Sequence, residues 1–178
     1  FAKMAIKIIP DRPVEEKAII RPKYLDDELI QVPAMAMELA RMELGHMAEL
    51  TEGMLARVRP VLESRDLGEL SQQHDRIVVL REALLSYLQQ VGRAELSDAE
   101  ADEHARLVAA TGEIENMSAA VSYELIPLAQ TLKEANTTPS KETTDLLERL
   151  FQTIQASAQS ALRALVEHDE QAAQTVVA

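Results

Sequence analysis

The residues of this chain whose type and spacing could do chemistry are carboxylates. Asp98 and Asp102 stand four residues apart, the one place where an acid is followed at that interval by an aspartate. On a helix that interval puts both side chains on one face, where they could grip a hard cation. They sit in an acidic run with Glu95, Glu100 and Glu103, however, and acids at a helix start are favoured by the helix dipole without any metal. Glu115 follows Ile114 in an apolar-periodic stretch, where a carboxylate at the edge of a core needs a partner. An ion pair from a neighbouring helix supplies that partner more often than a cofactor does. Asp75 completes the set, adjacent to His74. The reading from these residues is no bound metal, with Asp75, Glu115, Asp98 and Asp102 as the side chains that would hold one.

The four histidines add little. His46 falls on an apolar stripe and reads as a core histidine with its hydrogen bonds satisfied. His74-Asp75 and His168-Asp169 read as solvent-exposed pairs near helix ends, and no HExxH or paired ligand pattern occurs. No nucleophile–base arrangement, glycine-rich phosphate loop or basic aromatic patch is present, so no catalytic residue, cofactor or small-molecule substrate is expected. Phosphate itself is not expected to bind an acidic bundle, where only the helix starts at Ser97 and Thr138 would suit an anion.

Helices must position all of these side chains. Met35, Leu39, Met42, His46, Leu50, Met54, Val58, Val61 and Leu62 step by threes and fours and predict a first long helix. Pro33 suits its first turn, Asp26 or Asp27 can cap a short turn ahead of it, and Pro60 predicts a bend near its end. Arg65, Asp66 and Gly68 fit a helix end and tight turn. Leu70, Ile77, Leu80, Leu84, Tyr87, Leu88 and Val91 predict a second helix that stops at Gly92.

Ser97 with Glu100 is a capping-box pair opening a third helix along Leu107, Thr111, Ile114, Met117, Val121, Leu125, Leu128 and Leu132, kinked at Pro127. Thr138 and Pro139 read as the cap and first residue of a fourth helix, whose expected buried face is Leu147, Leu150, Phe151, Ile154, Ala158, Ala161, Leu162 and Leu165. The predicted fold class is all-α, an antiparallel up-and-down bundle.

Composition agrees. The 178 residues include two Phe, three Tyr and no Trp, so the core must be aliphatic, and five Gly and seven Pro are too few for the turns of an all-β fold. The absence of cysteine excludes disulfides, thiolate metal sites and cysteine catalysis. A net charge of −12 argues against nucleic acid. In residues 1–23, by contrast, Lys3, Lys7, Arg12, Lys17, Arg21 and Lys23 outnumber Asp11, Glu15 and Glu16, and Pro10, Pro13 and Pro22 break any helix. That stretch reads as a membrane-proximal connector ahead of a bundle over 24–178. Opening on Phe1 rather than Met, the chain reads as a piece of a longer protein.

A shift of 103 residues superimposes Met47 on Leu150, Val58 on Ala161, Leu62 on Leu165, Asp66 on Asp169 and Leu70 on Ala173. If this is a repeat, its second unit stops before its partner helices, and the stripe from Ile154 to Leu165 is incompletely covered. A homodimer or exchanged helix through the fourth helix is the expectation.

Several short motifs come in a recognisable order: Pro22-Lys-Tyr-Leu-Asp26, Pro33-Ala-Met-Ala-Met-Glu-Leu-Ala40, Met54-Leu55, Ser86-Tyr-Leu88, Leu96-Ser-Asp-Ala-Glu100 and Ile114-Glu115. Together they resemble the cytoplasmic PhoU-like domain of bacterial sodium/phosphate cotransporter family proteins, over roughly residues 20–178. The resemblance implies a PhoU-like fold of one three-helix repeat plus the start of a second. It implies a non-catalytic regulatory appendage of a sodium-dependent phosphate transporter, at the cytoplasmic face of the inner membrane, with the membrane domain as partner. Proteins of the PhoU type can bind metal through paired acids, but the matching positions here are Val78 and Ala119. Two other readings stay open: a free-standing PhoU-type regulator of a transporter or kinase, and a carboxylate-bundle metal-binding protein.

Overall fold

The computed structural model describes residues 20–64, 68–135 and 140–167, with side chains described at all of these except 59–64, 132, 133, 165 and 167. Most of the connector, Arg65 and Asp66, Thr138 and Pro139, and His168 and Asp169 therefore lie outside the described residues. The helices are α1 (Pro33–Ser64), α2 (Gly68–Val91), α3 (Asp98–Ala120), α4 (Ile126–Glu134) and α5 (Lys141–Glu167), with no strand among the described residues. The protein is an all-α bundle. A 3-10 turn, Asp27–Leu29, precedes α1, and the Asp26 carboxylate caps it by accepting from the Glu28 amide at 2.9 Å.

Chain direction follows from which residues meet. Arg57 pairs with Glu69 where α1 hands over to α2, and Arg41 near the start of α1 pairs with Glu103 near the start of α3. Gly45 approaches Val166, and Glu52 accepts from Gln159, so α5 runs antiparallel to α1. The order is up, down, up, down, with α1 central, packed on α2, α3 and α5. Leu44, Met47, Met54, Leu70, Ile77, Leu80, Leu84, Leu88 and Ile114 are fully buried between these helices. Each such side chain contributes roughly 1.5–3 kcal/mol by leaving water.

The stripe expected on α1 is out of phase in its first half. Met35 and Met42 are exposed, whereas Ala36, Met37, Ala40, Glu43, Leu44, Met47, Ala48 and Thr51 face the core. The inward face mixes Met37, Leu44 and Met47 with alanines that let helices approach and with a glutamate, while Met35 and Met42 lie outside it, so large apolar side chains alone do not define the direction. On α2 the expected face is the buried one throughout.

Gly92 ends α2, and its amide bonds to Leu88 O at 2.9 Å. A Cβ on Gly92 would lie 3.0 Å from His104 Nε2, which itself reaches Leu88 O at 2.8 Å, so a side chain there would have to push the His104 ring off that bond by a few tenths of an ångström.

Pro127 acts as the sequence suggests, by a specific route. It has no amide to donate, and its ring opposes the carbonyl four residues back. The chain answers with a π-turn over Val121–Leu125, in which the Ile126 amide bonds to Val121 O. The wider turn brings Ile126 into the core after Val121 and turns Leu128, expected inside, out to solvent.

The fourth helix departs most from expectation. It begins at Lys141, capped by Ser140, whose Oγ accepts from the Thr143 amide at 3.2 Å. Ala158 and Leu162 are buried and Phe151 partly so, but Leu147, Leu150 and Ile154 are exposed. The repeat pairing of Met47 with Leu150 thus matches a fully buried residue with one half in water, since among the described residues α5 packs mainly on α1 and α3.

At α3 the capping box is complete: Ser97 Oγ accepts from the Glu100 amide, and the Glu100 carboxylate accepts from the Ser97 amide at 2.9 Å. Ser97→Ala should lower stability by about 1 kcal/mol in urea unfolding, with an unchanged m-value.

Candidate functional site

Among the described residues, the fully buried carboxylate is that of Glu43, on the inward face of α1. Its Oε2 accepts the backbone amides of Lys23, at 2.7 Å, and Tyr24, at 2.8 Å. Its Oε1 lies 2.9 Å from His46 Nδ1, one helical turn on. A buried carboxylate is costly unless its lone pairs are filled, and three donors fill these. Two of them belong to the segment that enters the bundle, so the carboxylate works as a clasp on a strap.

Other contacts hold the same strap. Tyr24 packs edge-on against His46 with ring centroids 6.3 Å apart, and Lys23 Nζ lies 4.8 Å from the Tyr24 ring centre. From α2, Tyr87 Oη donates to Asp26 O at 3.0 Å. Burial pushes the Tyr87 phenol above its ordinary pKa of 10.0, with the charges of Asp26 and Asp27 adding to the effect. Residues 23–29 are thus tied to α1 by Glu43 and to α2 by Tyr87.

A second polar cluster lies in the α2–α3 seam. His74 is buried, not exposed as expected, because it lies on the inward face of α2 in phase with Leu70 and Ile77, and Tyr123 of the π-turn packs edge-on against it at 5.1 Å. Ser118 Oγ donates to Glu115 O at 2.8 Å and is therefore left to accept from His74 Nδ1 at 2.9 Å. In that tautomer Nε2 carries no hydrogen, and it is buried without a hydrogen-bond partner.

Glu115 is half-buried, with Arg81 of α2 3.9 Å away, a Coulombic contact of the helix–helix kind rather than a hydrogen bond. Asp75, Asp98 and Asp102 are exposed, and Val78 and Ala119 are half-buried. Glu103, their acidic neighbour, is occupied by Arg41 and Arg106. The structure does not bring the candidate carboxylates together, and among the described residues no three His, Asp or Glu side chains are placed to hold a metal. On α5, an open depression of about 520 Å³ is lined by Arg149, Gln152, Thr153, Ala156, Ser157 and Ser160, with no acid among them. No described helix is long and apolar enough to cross a membrane.

Over 120 residues, 66% of its length, the chain is 29% identical to the "Putative inorganic phosphate export protein YjbB" of Escherichia coli K12. It matches the proteins of that name from Shigella flexneri and Escherichia coli O157:H7 to the same extent. The likeness is to phosphate export proteins. It covers only 22% of each of them, so the chain spans less than a quarter of the relatives' length. No family model and no solved structure matches.

Sequence reasoning passed over Glu43, Tyr24 and Tyr87 as site residues. Glu43 was detectable as an acid in phase with Ala36, Ala40, Leu44 and Met47, but only once the true face of α1 was known.

Glu43→Ala should cost about 2–4 kcal/mol in urea unfolding, since it strands two backbone donors, and should abolish hydrogen-exchange protection of the Lys23 and Tyr24 amides. The raised phenol of Tyr87 means that its share of stability is complete below the unfolded pKa and is lost as pH rises through the folded one. Stability should therefore fall above about pH 10, and Tyr87→Phe should flatten that alkaline limb while costing about 1 kcal/mol at neutral pH.

Proposed function

We propose that this chain is a non-catalytic regulatory domain of a sodium-dependent inorganic phosphate transporter. In this reading the bundle lies at the cytoplasmic face of the inner membrane, and residues 1–23 connect it to the transporter's membrane domain. The observation that carries the reading is the 29% identity over 120 residues to proteins named for inorganic phosphate export. The order of short motifs shared with PhoU-like cytoplasmic domains points the same way.

The clasp fits that role. A regulatory body must feel the position of the segment that leads into it, and Glu43 ties Lys23 and Tyr24 to the central helix. A shift of the strap breaks hydrogen bonds to a buried carboxylate, so the strap's path and the packing of α1 are coupled. The polar clusters described above consist of pairs and caps, which favours action by contact over chemistry.

The test is flux of radiolabelled phosphate through the transporter that carries this domain, reconstituted in vesicles with and without a sodium gradient. Removal of residues 24–178 should leave sodium-dependent flux in place but alter its rate, and Glu43→Ala should shift the rate in the same direction. Unaltered flux in both variants would overturn the regulatory role. Flux indifferent to sodium would overturn the proposed coupling ion.

A further inference from the structure

Two segments lie at the end of the bundle where α1 and α3 begin and α2 finishes. One is the strap, in which no residue from 20 to 29 is buried. The other is the α2–α3 turn with the start of α3, in which no residue between Val91 and Leu107 is buried. Segments with so little apolar burial belong to the low-stability end of a fold, where polar contacts carry more of the hold. Those contacts converge. The strap is tied to α1 by Glu43 and to α2 by Tyr87. The start of α3 is tied to α1 by Glu103, which pairs with Arg41, and to α2 by His104, whose Nε2 donates to Leu88 O at 2.8 Å.

Both segments therefore grip the same two places, residues 41–43 of α1 and 87–88 of α2. The ties close a ring that runs from strap to α1, from α1 to α3, from α3 to α2 and from α2 back to the strap. We propose that the strap, the α2–α3 turn and the start of α3 open and close as one unit, so that the position of the strap is read out at the exposed turn between Gly92 and Ser97.

The physical cause is shared footing. Tyr87 and Leu88 are consecutive, so a shift of the last turn of α2 that lengthens one tie disturbs the other. Arg41 and Glu43 stand within one turn of α1 and are linked in the same way. A good hydrogen bond is confined to separations of about 2.7–3.2 Å, so a small displacement is enough to break it. The turn itself hangs on the same point, because the Gly92 amide and His104 both donate to Leu88 O. Release of the strap thus loosens the footing of α3, and fraying of α3 loosens that of the strap. That this coupling carries a signal rests on the regulatory reading. Hydrogen exchange involves no transport, however, so the unit can fail while flux still responds to the domain, and the reverse.

Native-state hydrogen exchange of the 178-residue chain in low, rising urea tests the unit. Its reporters are the amides of Lys23 and Tyr24, held by Glu43, of Ala94, held by Val91 O, and of Ala101, held by Ser97 O. All four should show one protection factor and one urea slope, both smaller than those of the buried Leu80 and Leu84 of α2. Tyr87→Phe removes the tie of the strap to α2, and should speed exchange at Ala94 and Ala101 about fivefold or more. His104→Ala should in turn speed it at Lys23 and Tyr24, because coupling is reciprocal. Turn amides indifferent to Tyr87→Phe, strap amides indifferent to His104→Ala, or slopes that differ between strap and turn would overturn the proposal. So would slopes equal to those of Leu80 and Leu84, since the segments would then open only with the whole bundle.

Discussion

The central helix of this bundle has a carboxylate on its buried face, and much else follows from the need to satisfy it. An ionised group cut off from water is tolerated only when its oxygens are filled. At Glu43 the filling comes from outside the helix, from the backbone of a segment about twenty residues earlier in the chain. The bundle and its lead-in are therefore one cooperative object near Tyr24. Dissolving the strap would leave the charge bare, and displacing α1 would leave two amides without acceptors. His46 fills the remaining side of the carboxylate and props the ring of Tyr24, and Tyr87 ties the next residues to α2. Ordinary packing elsewhere needs no such reciprocity.

How much of this was legible depends on what each residue's neighbours demand. The second helix could be read directly, because on α2 large apolar side chains and inward direction coincide. On α1 they part company: Met35 and Met42 look outward while Ala36, Ala40 and Glu43 look inward. A central helix touched on several sides needs small residues where its neighbours come close, and hydrophobicity underweights alanine. The capping box at Ser97 was legible because it is local in sequence. Glu43 was not, since its partners are set by tertiary fold alone. His74 reads as a surface residue although it is in phase with Leu70 and Ile77 on the buried face of α2, whereas its ring contact with Tyr123 across the π-turn is one that no 3.6-residue period encodes.

The likeness to phosphate export proteins and the geometry answer different questions. The likeness concerns 120 residues of much longer chains and says what kind of protein these residues resemble. The geometry says how these residues are put together: acids sought as metal ligands are dispersed, paired or exposed, and the buried Glu43, His74 and Ser118 serve junctions between elements. The seam of His74 and Ser118, the α2–α3 turn closed by Gly92 and His104, and the Glu43 clasp all sit where one segment must keep its place against another.

Both hydrogens that the strap donates to Glu43 belong to the main chain. The clasp therefore recognises the course of the polypeptide and is blind to the identity of its side chains. The hydrogen bonds themselves bar only proline at 23 and 24, which has no amide to give, and it is the ring contact with His46 that asks for an aromatic at 24. Pro22 stands one position short of that prohibition. A body that grips its lead-in this way can keep the same handhold while the sequence entering it changes, so that what precedes the bundle and the bundle itself are able to evolve at different rates.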